Sequence, residues 1–166
     1  MKEEVRRKIV ERLSNPSNLL YPNLAPGGIY DRKLQREQGP GQTKNVWTVD
    51  PADPAKIARL RPAIVVMGPN EVEPPNGPAY TEDLVLRNGF LRVFMYAPRD
   101  AQGKEALDQI DLRVRQLLNG WQTQLSHGYP MTVGALDAVE STDSDEFSDA
   151  LVTYRRYVAE YLRPAF

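Results

Sequence analysis

The sequence predicts an α+β fold: an antiparallel or mixed sheet of about four strands, flanked by an N-terminal helix and a long central helix, with extended proline-rich loops. The first observation is the segment from Phe90 to Tyr96, whose aromatic and β-branched residues predict a strand. Ala97-Pro98 should end it, because proline has no amide hydrogen for the ladder. The second observation is that the spacing of apolar residues changes after this strand. They now recur every three or four positions, as they do on one side of a helix. These residues are Leu107, Ile110, Val114, Leu117, Leu118 and Trp121.

The predicted central helix runs from Lys104 to Asn119. Asn119-Gly120 supplies a stop, because glycine readily adopts the left-handed conformation that ends many helices. A strand followed at once by an amphipathic helix places that helix on one face of a sheet. The apolar run from Ala63 to Met67 predicts a central strand of the same sheet.

The remaining elements are shorter. Val5, Ile9, Val10 and Leu13 have helical spacing, and Ser14-Asn15-Pro16 should stop that N-terminal helix. Brief strands are predicted at Gly28–Asp31, Val46–Val49 and Met131–Val139, and a brief helix from Asp53-Pro54 through Ala58.

Two segments permit more than one interpretation. Asn88-Gly89 is a hairpin signal that could pair Asp83–Asn88 with the following strand. The segment Leu151–Leu162 also has apolar residues at helical spacing, but its aromatic content favours a strand. We therefore interpret it as a strand.

The chain length fits one domain, residues 1–166, with loop excursions at 34–60 and 68–80. The 14 prolines and 11 glycines cluster between the periodic segments, which indicates long, stiffened connections. The net charge of −1 provides no global field that would attract nucleic acid, although it leaves room for a local patch. The N-terminus is charged throughout, so we expect no signal peptide there. The sequence has no apolar run of the length that a membrane span needs, so we expect no such span. A cytosol-like compartment is therefore expected.

No motif points to catalysis, a cofactor or a metal, so we expect none of them. There is no cysteine, and the single histidine, His127, lies in a turn-like setting without an evident nucleophile or orienting acid. The acidic cluster Asp143–Asp149 lacks the glycine and terminal glutamate of a calcium loop. Gly39–Lys44 lacks the ending of a phosphate loop. In a strand, Arg155 and Arg156 would point to opposite faces, and we expect a surface position or a subunit contact there.

The order of these elements resembles the tail terminator, or tail completion, proteins of long-tailed bacteriophages. The likeness covers most of the chain and rests on the order of its segments rather than on one motif. These are the N-terminal helix, Gly28-Ile-Tyr-Asp31, Arg61-Pro-Ala-Ile-Val-Val66, Phe90–Tyr96 with its helix, and the segment from Glu146 through Val158 onward.

The resemblance implies a virion protein of the neck or tail, assembled in the host cytoplasm as a hexameric ring. Such a ring ends the tail tube and joins it to a head-connector or stopper protein, while double-stranded DNA passes through without tight binding. Candidate residues for subunit contacts are Trp47, Glu71, Glu73, Arg155 and Arg156. Two alternatives stay open: another head-tail connector component or a tail-tube subunit, and more remotely a small enzyme with an unrecognised site.

Overall fold

A mixed sheet of six strands forms the framework of the fold. The computed structural model describes residues 2–32, 35–36, 46–48, 57–59, 62–72, 84–138 and 150–164. The strands of this sheet are β1 (Gly28–Tyr30), β5 (Ala63–Val72), β6 (Leu84–Pro98), β7 (Gln122–Gln124), β8 (Pro130–Ala138) and β9 (Ala150–Pro164). Their order is β1-β5-β6-β9-β8-β7, and only the β1–β5 pair is parallel.

Three short strands form a second, antiparallel sheet. They are β2 (Gln35–Arg36), β3 (Val46–Thr48) and β4 (Ile57–Arg59), paired in sequence order. The helices are α1 (Lys2–Ser14) and α2 (Ala101–Leu118). Short helical turns at Pro16–Asn18, Leu20–Leu24 and Ser126–Gly128 complete the described elements.

The main core lies between the two helices and one face of the large sheet. The stripe predicted for α2 is confirmed, since all five of its helical members are buried. Trp121 follows the helix, packs against the same core and lies under the Arg12 guanidinium, whose carbon is 4.8 Å from the ring centroid. The other buried members of this core are apolar side chains of α1, β5, β6, β8 and β9, together with Leu20, Ala25 and Leu125.

The connection from β6 to α2 is too tight for any residue other than glycine at one position. A Cβ atom on Gly103 would lie 1.8 Å from the carbonyl oxygen of Pro98. Asp100 begins the helix, because its side chain accepts a 2.7 Å hydrogen bond from the Gly103 amide. The strand therefore ends at Pro98, as predicted, and the helix begins three residues before the predicted Lys104. Gly120, with φ of +79°, follows the last turn as expected.

The large sheet has six strands rather than about four. The strand predicted at Gly28–Asp31 joins the sheet as an edge strand, β1. The other edge strand, β7, was not predicted, because three residues are too few to produce a recognisable period. The strand predictions at Gly28–Asp31, Met131–Val139 and Leu151–Leu162 are confirmed by β1, β8 and β9. The prediction for Val46–Val49 is confirmed over the residues of β3.

The hairpin interpretation of Asn88-Gly89 is wrong, because β6 continues through both residues without a turn. Gly89 instead permits close packing: a Cβ atom there would lie 2.7 Å from the Pro69 side chain and 3.0 Å from the Tyr161 ring. Pairing with β5 on one side and β9 on the other overrides the local turn propensity.

Both predicted loop excursions contain strands. Residues 68–72 continue β5 past an irregularity between Met67 and Asn70, where Gly68 has φ of +104°. Residues 73–80 lie outside the described part of the chain. The excursion 34–60 holds β2, β3 and β4, so the helix predicted through Ala58 is wrong at that residue, while Asp53-Pro54 lies outside the described residues. The organisation as one domain stays a prediction.

The packing of α2 yields a matched pair of variants. Leu117 is 5% exposed, whereas Leu112, five residues earlier on the same helix, is 51% exposed. Leu117→Ala should lower the free energy of unfolding by about 2–5 kcal/mol, because it leaves a cavity against the sheet. Leu112→Ala should change it by less than about 0.5 kcal/mol. Urea denaturation of both variants measures this, and equal losses would contradict the packing described.

Candidate interaction surface

The face of the large sheet turned away from the helices carries a second, smaller apolar cluster. Its buried members are Ala63, Val65, Tyr96 and Val152. Three half-buried side chains pack against them: Tyr30, Met67 and Phe94. Phe94 also contacts Tyr154, with ring centroids 5.4 Å apart. Alternation along β5, β6 and β9 therefore places apolar residues on both faces of the sheet, which is unusual for a sheet with a fully solvated side.

A cleft opens on this second face beside the irregularity in β5. Its volume is about 280 Å³, and its lining is mainly apolar and aromatic. Phe90 forms part of the wall and is 36% exposed. The other lining residues are Val65, Met67, Gly68, Asn70, Arg92, Phe94 and Tyr96. We call this depression the apolar cleft.

Two arginines lie side by side at the border of the apolar cleft. Arg92 of β6 and Arg156 of β9 are directly opposite each other in the antiparallel ladder, and both are exposed. Among the described residues, neither guanidinium forms an ion pair or a hydrogen bond with a carboxylate. Like charges directly opposite across two strands repel each other, so this arrangement lowers the stability of the isolated chain. We call these two residues the arginine pair.

Arg155 has the opposite environment. It points to α2, where its Nε and Nη2 atoms donate hydrogen bonds of 2.6 and 2.8 Å to the two oxygens of Asp111. The side chains of Arg155 and Asp111 are only 13% and 18% exposed, and Arg115 lies 3.6 Å from the same carboxylate. The hydrogen bonds to Asp111 raise the pKa of Arg155. The predicted separation of Arg155 and Arg156 onto opposite faces is thus confirmed, and Arg155 joins β9 to α2.

Of the other candidate contact residues, Glu71 is engaged within the fold, and the side chains of the rest lie outside the part of the chain that the structure describes. Glu71 belongs to β5, where it accepts a 2.8 Å hydrogen bond from the Tyr161 hydroxyl and lies 3.2 Å from Nε of Arg163. Trp47 is in β3, but its side chain is outside the described part, as is all of Glu73. Their roles at a subunit interface stay predictions.

Two tyrosines of β9 are buried on the helix side. The hydroxyl of Tyr157 has no hydrogen-bond partner among the described residues, and burial raises its pKa. Burial, followed by the hydrogen bond to Glu71, also raises the pKa of Tyr161. Both hydroxyls therefore remain protonated at neutral pH and act as packing groups rather than as bases.

Sequence reasoning missed Arg92 and Phe90 as surface residues. Both alternate with buried positions in β6, which is a visible signal for exposure on one face. Their proximity to Arg156 depends on the register of β6 against β9, and no local pattern specifies that register.

The described residues offer little for other chemistry. They contain no group of three or more potential ligands that could hold a metal ion. No helix in the described ranges is long and apolar enough to cross a membrane. The backbone of His127 lies in the turn Ser126–Gly128, but its side chain falls outside the description, as do the clusters Asp143–Asp149 and Gly39–Lys44.

The buried tyrosines predict a pH dependence of stability. Their pKa values are raised above the ordinary value of 10.0, so their contribution is complete below pH 10 and is lost as pH rises above it, where the unfolded chain ionises first. The free energy of unfolding should fall above about pH 10, and less steeply for Tyr157→Phe. Tyr21→Phe, at a half-exposed position, is the control. Equal slopes for Tyr157→Phe and the wild type in urea denaturation would contradict this.

Arg155 and Arg156 form another matched pair. Arg155→Ala should lower the free energy of unfolding by about 1.5–3 kcal/mol, because it removes two charge-assisted hydrogen bonds to a mostly buried Asp111. Arg156→Ala should leave stability unchanged within about 0.5 kcal/mol or raise it slightly, because it relieves repulsion with Arg92. Thermal and urea denaturation compare the two, and a larger loss for Arg156→Ala would show that the pairing is misassigned.

Comparison with known proteins places the fold. No protein-family model matches the chain, and no curated protein matches it. A solved chain from the "Virion of native gene transfer agent (GTA) particle" is similar with a TM-score of 0.57 and 13% identity, over 97% of this chain and 96% of that one. A second solved structure, whose name states no function, has a TM-score of 0.53 and 13% identity, over 98% and 96%. At this identity, the likeness shows that this chain shares their fold along nearly its whole length.

Proposed function

We propose that this protein is a structural component of a phage-like virion, where it forms a ring that ends the tail tube and joins the tail to the head. The observation that carries the proposal is the similarity in fold to a chain of a gene transfer agent virion, which extends over almost all of both chains. Since a shared fold does not by itself specify function, the finer assignment needs support from further observations.

The order of sequence segments supports the finer assignment to a tail terminator. The segments that resemble that family correspond to α1, β1, β5, β6, α2 and β9, which are the main elements of the fold. A ring built head to tail needs two different surface patches on each subunit. The molecule offers dissimilar sides, since one face of its sheet is covered by helices and the other carries the apolar cleft and the arginine pair.

The charge of the chain suits a conduit for DNA better than a clamp. Each phosphate contact releases counterions and increases affinity, so a strongly basic lumen would retain a duplex that has to slide. The net charge is −1, with 21 basic and 22 acidic residues. We therefore propose that double-stranded DNA passes the ring without tight binding.

The competing structural role is another head-tail connector component or a tail-tube subunit. These roles differ from a terminator in where the ring lies and how often it repeats. The similarity to a virion chain favours each of them over a small enzyme. Polar groups such as Asp111 and Tyr161, which could serve an enzyme, are engaged in contacts within the fold.

The proposed function predicts a single ring at one place in the particle. Native mass spectrometry of the purified protein, alone and mixed with tail tubes, should detect a closed ring, which we expect to be a hexamer. Reconstruction of the particle should show that ring once, between the last tube ring and the head connector. Repetition along the tube would identify a tube subunit, and a twelve-fold ring against the portal would identify a connector. Either result would overturn the terminator assignment.

A further inference from the structure

We propose that the apolar cleft and the arginine pair receive the acidic connection between β8 and β9 of a neighbouring copy of this chain. This inference rests on the proposed ring and assigns one of its two contact patches. In this arrangement, carboxylates from the segment Asp143-Ser-Asp-Glu-Phe-Ser-Asp149 bind Arg92 and Arg156, and Phe147 of that segment enters the cleft.

The arginine pair is suited to binding an anionic partner. Arg92 and Arg156 are held opposite each other by the ladder, and no carboxylate of the described chain neutralises either one. A guanidinium recognises a carboxylate through two parallel hydrogen bonds, and two adjacent guanidiniums suit two acidic side chains. A partner that supplies them would convert the repulsion into attraction.

The apolar cleft is suited to an aromatic side chain. Its volume is about 280 Å³, and its lining is mainly apolar. Aromatic walls from Phe90 and Phe94 favour an aromatic ring, because offset or edge-to-face aromatic pairs are attractive beyond their burial. The occupant should thus present an aromatic residue directly beside acidic ones.

The chain itself contains a segment with this composition. Residues 140–149 include Glu140, Asp143, Asp145, Glu146 and Asp149, and they contain no lysine or arginine. Phe147 follows Glu146 directly, so one short stretch combines an aromatic ring with neighbouring carboxylates. Charge complementarity of this kind steers association and fixes the register of an interface.

A nucleic acid is a weaker candidate for the same surface. Duplex binding requires a row of cations that follows the phosphates, whereas this patch has two arginines beside an apolar depression. Glu160, four residues after Arg156 on the same strand and also exposed, adds a negative charge to that face. Binding of DNA at this patch would contradict the proposal.

Charge reversal at both ends of the contact tests it. The first variant, R92E/R156E, reverses the arginine pair, and the second, D145K/E146K, reverses the acidic segment. A third variant combines all four substitutions. The control, K2E/K104E, makes the same change in net charge as the first variant at exposed positions on α1 and α2. Native mass spectrometry and sedimentation measure ring formation for each, with and without tail tubes.

The first and second variants should each self-associate at least ~10-fold more weakly than the wild type, because each places like charges across the interface. An equimolar mixture of the two should form rings, since alternating subunits restore every contact. The third variant should form rings alone, and the control should match the wild type. Phe147→Ala and Phe90→Ala should each weaken assembly without charge reversal. Circular dichroism and urea denaturation confirm that every variant remains folded.

Other outcomes overturn the inference in identifiable ways. Normal assembly of the second variant alone would exclude the acidic segment as the occupant. Recovery by the third variant but not by the mixture would show a contact within one chain. Normal rings of the first variant that no longer bind tail tubes would show that the tube protein occupies the patch. A wild-type protein that forms no ring under either condition would overturn the proposed function as well.

Discussion

The structure depends on the antiparallel ladder between β6 and β9. It pairs residues without interruption from Leu84 with Pro164 to Pro98 with Ala150, so it runs the full length of both strands. Because side chains alternate between faces, a shift of either strand by one residue would turn the apolar side chains that it contributes to the main core outward. The ladder thus determines which residues meet the helices and which meet the apolar cleft.

The helices are attached to this ladder by contacts that permit little adjustment. α2 follows β6 through a turn that admits only glycine at position 103, and it is joined to β9 by the ion pair of Asp111 with Arg155. Glu4 of α1 accepts hydrogen bonds from the amide and hydroxyl of Ser126, in the turn between β7 and β8, and the hydroxyl contact is the main reason for the lowered pKa of Glu4. Both helices therefore have polar contacts to other parts of the fold in addition to the core.

The sequence predicted the helices and strands whose apolar or aromatic residues form a pattern within the element itself. The stripe from Leu107 to Leu118 defined α2 because helix faces repeat within a few residues, and β9 was identified from its aromatic content. The errors at Asn88-Gly89 and at residues 68–72 have a shared cause: strand pairing with distant segments overrides turn signals. For the surface, the sequence placed Arg156 opposite to Arg155 but could not place Arg92 beside it, since that proximity follows from the register of two strands separated by more than 50 residues.

The arginine pair gives the molecule an unusual dependence on ionic strength. The Debye length falls from about 10 Å at 0.1 M salt to about 3 Å at 1 M, so added salt screens the repulsion between Arg92 and Arg156 and stabilises the free chain. The same screening weakens attraction to a carboxylate partner. If subunits join through this patch as proposed, salt that stabilises the isolated chain weakens their contact, and dilute buffer has the reverse effect on each.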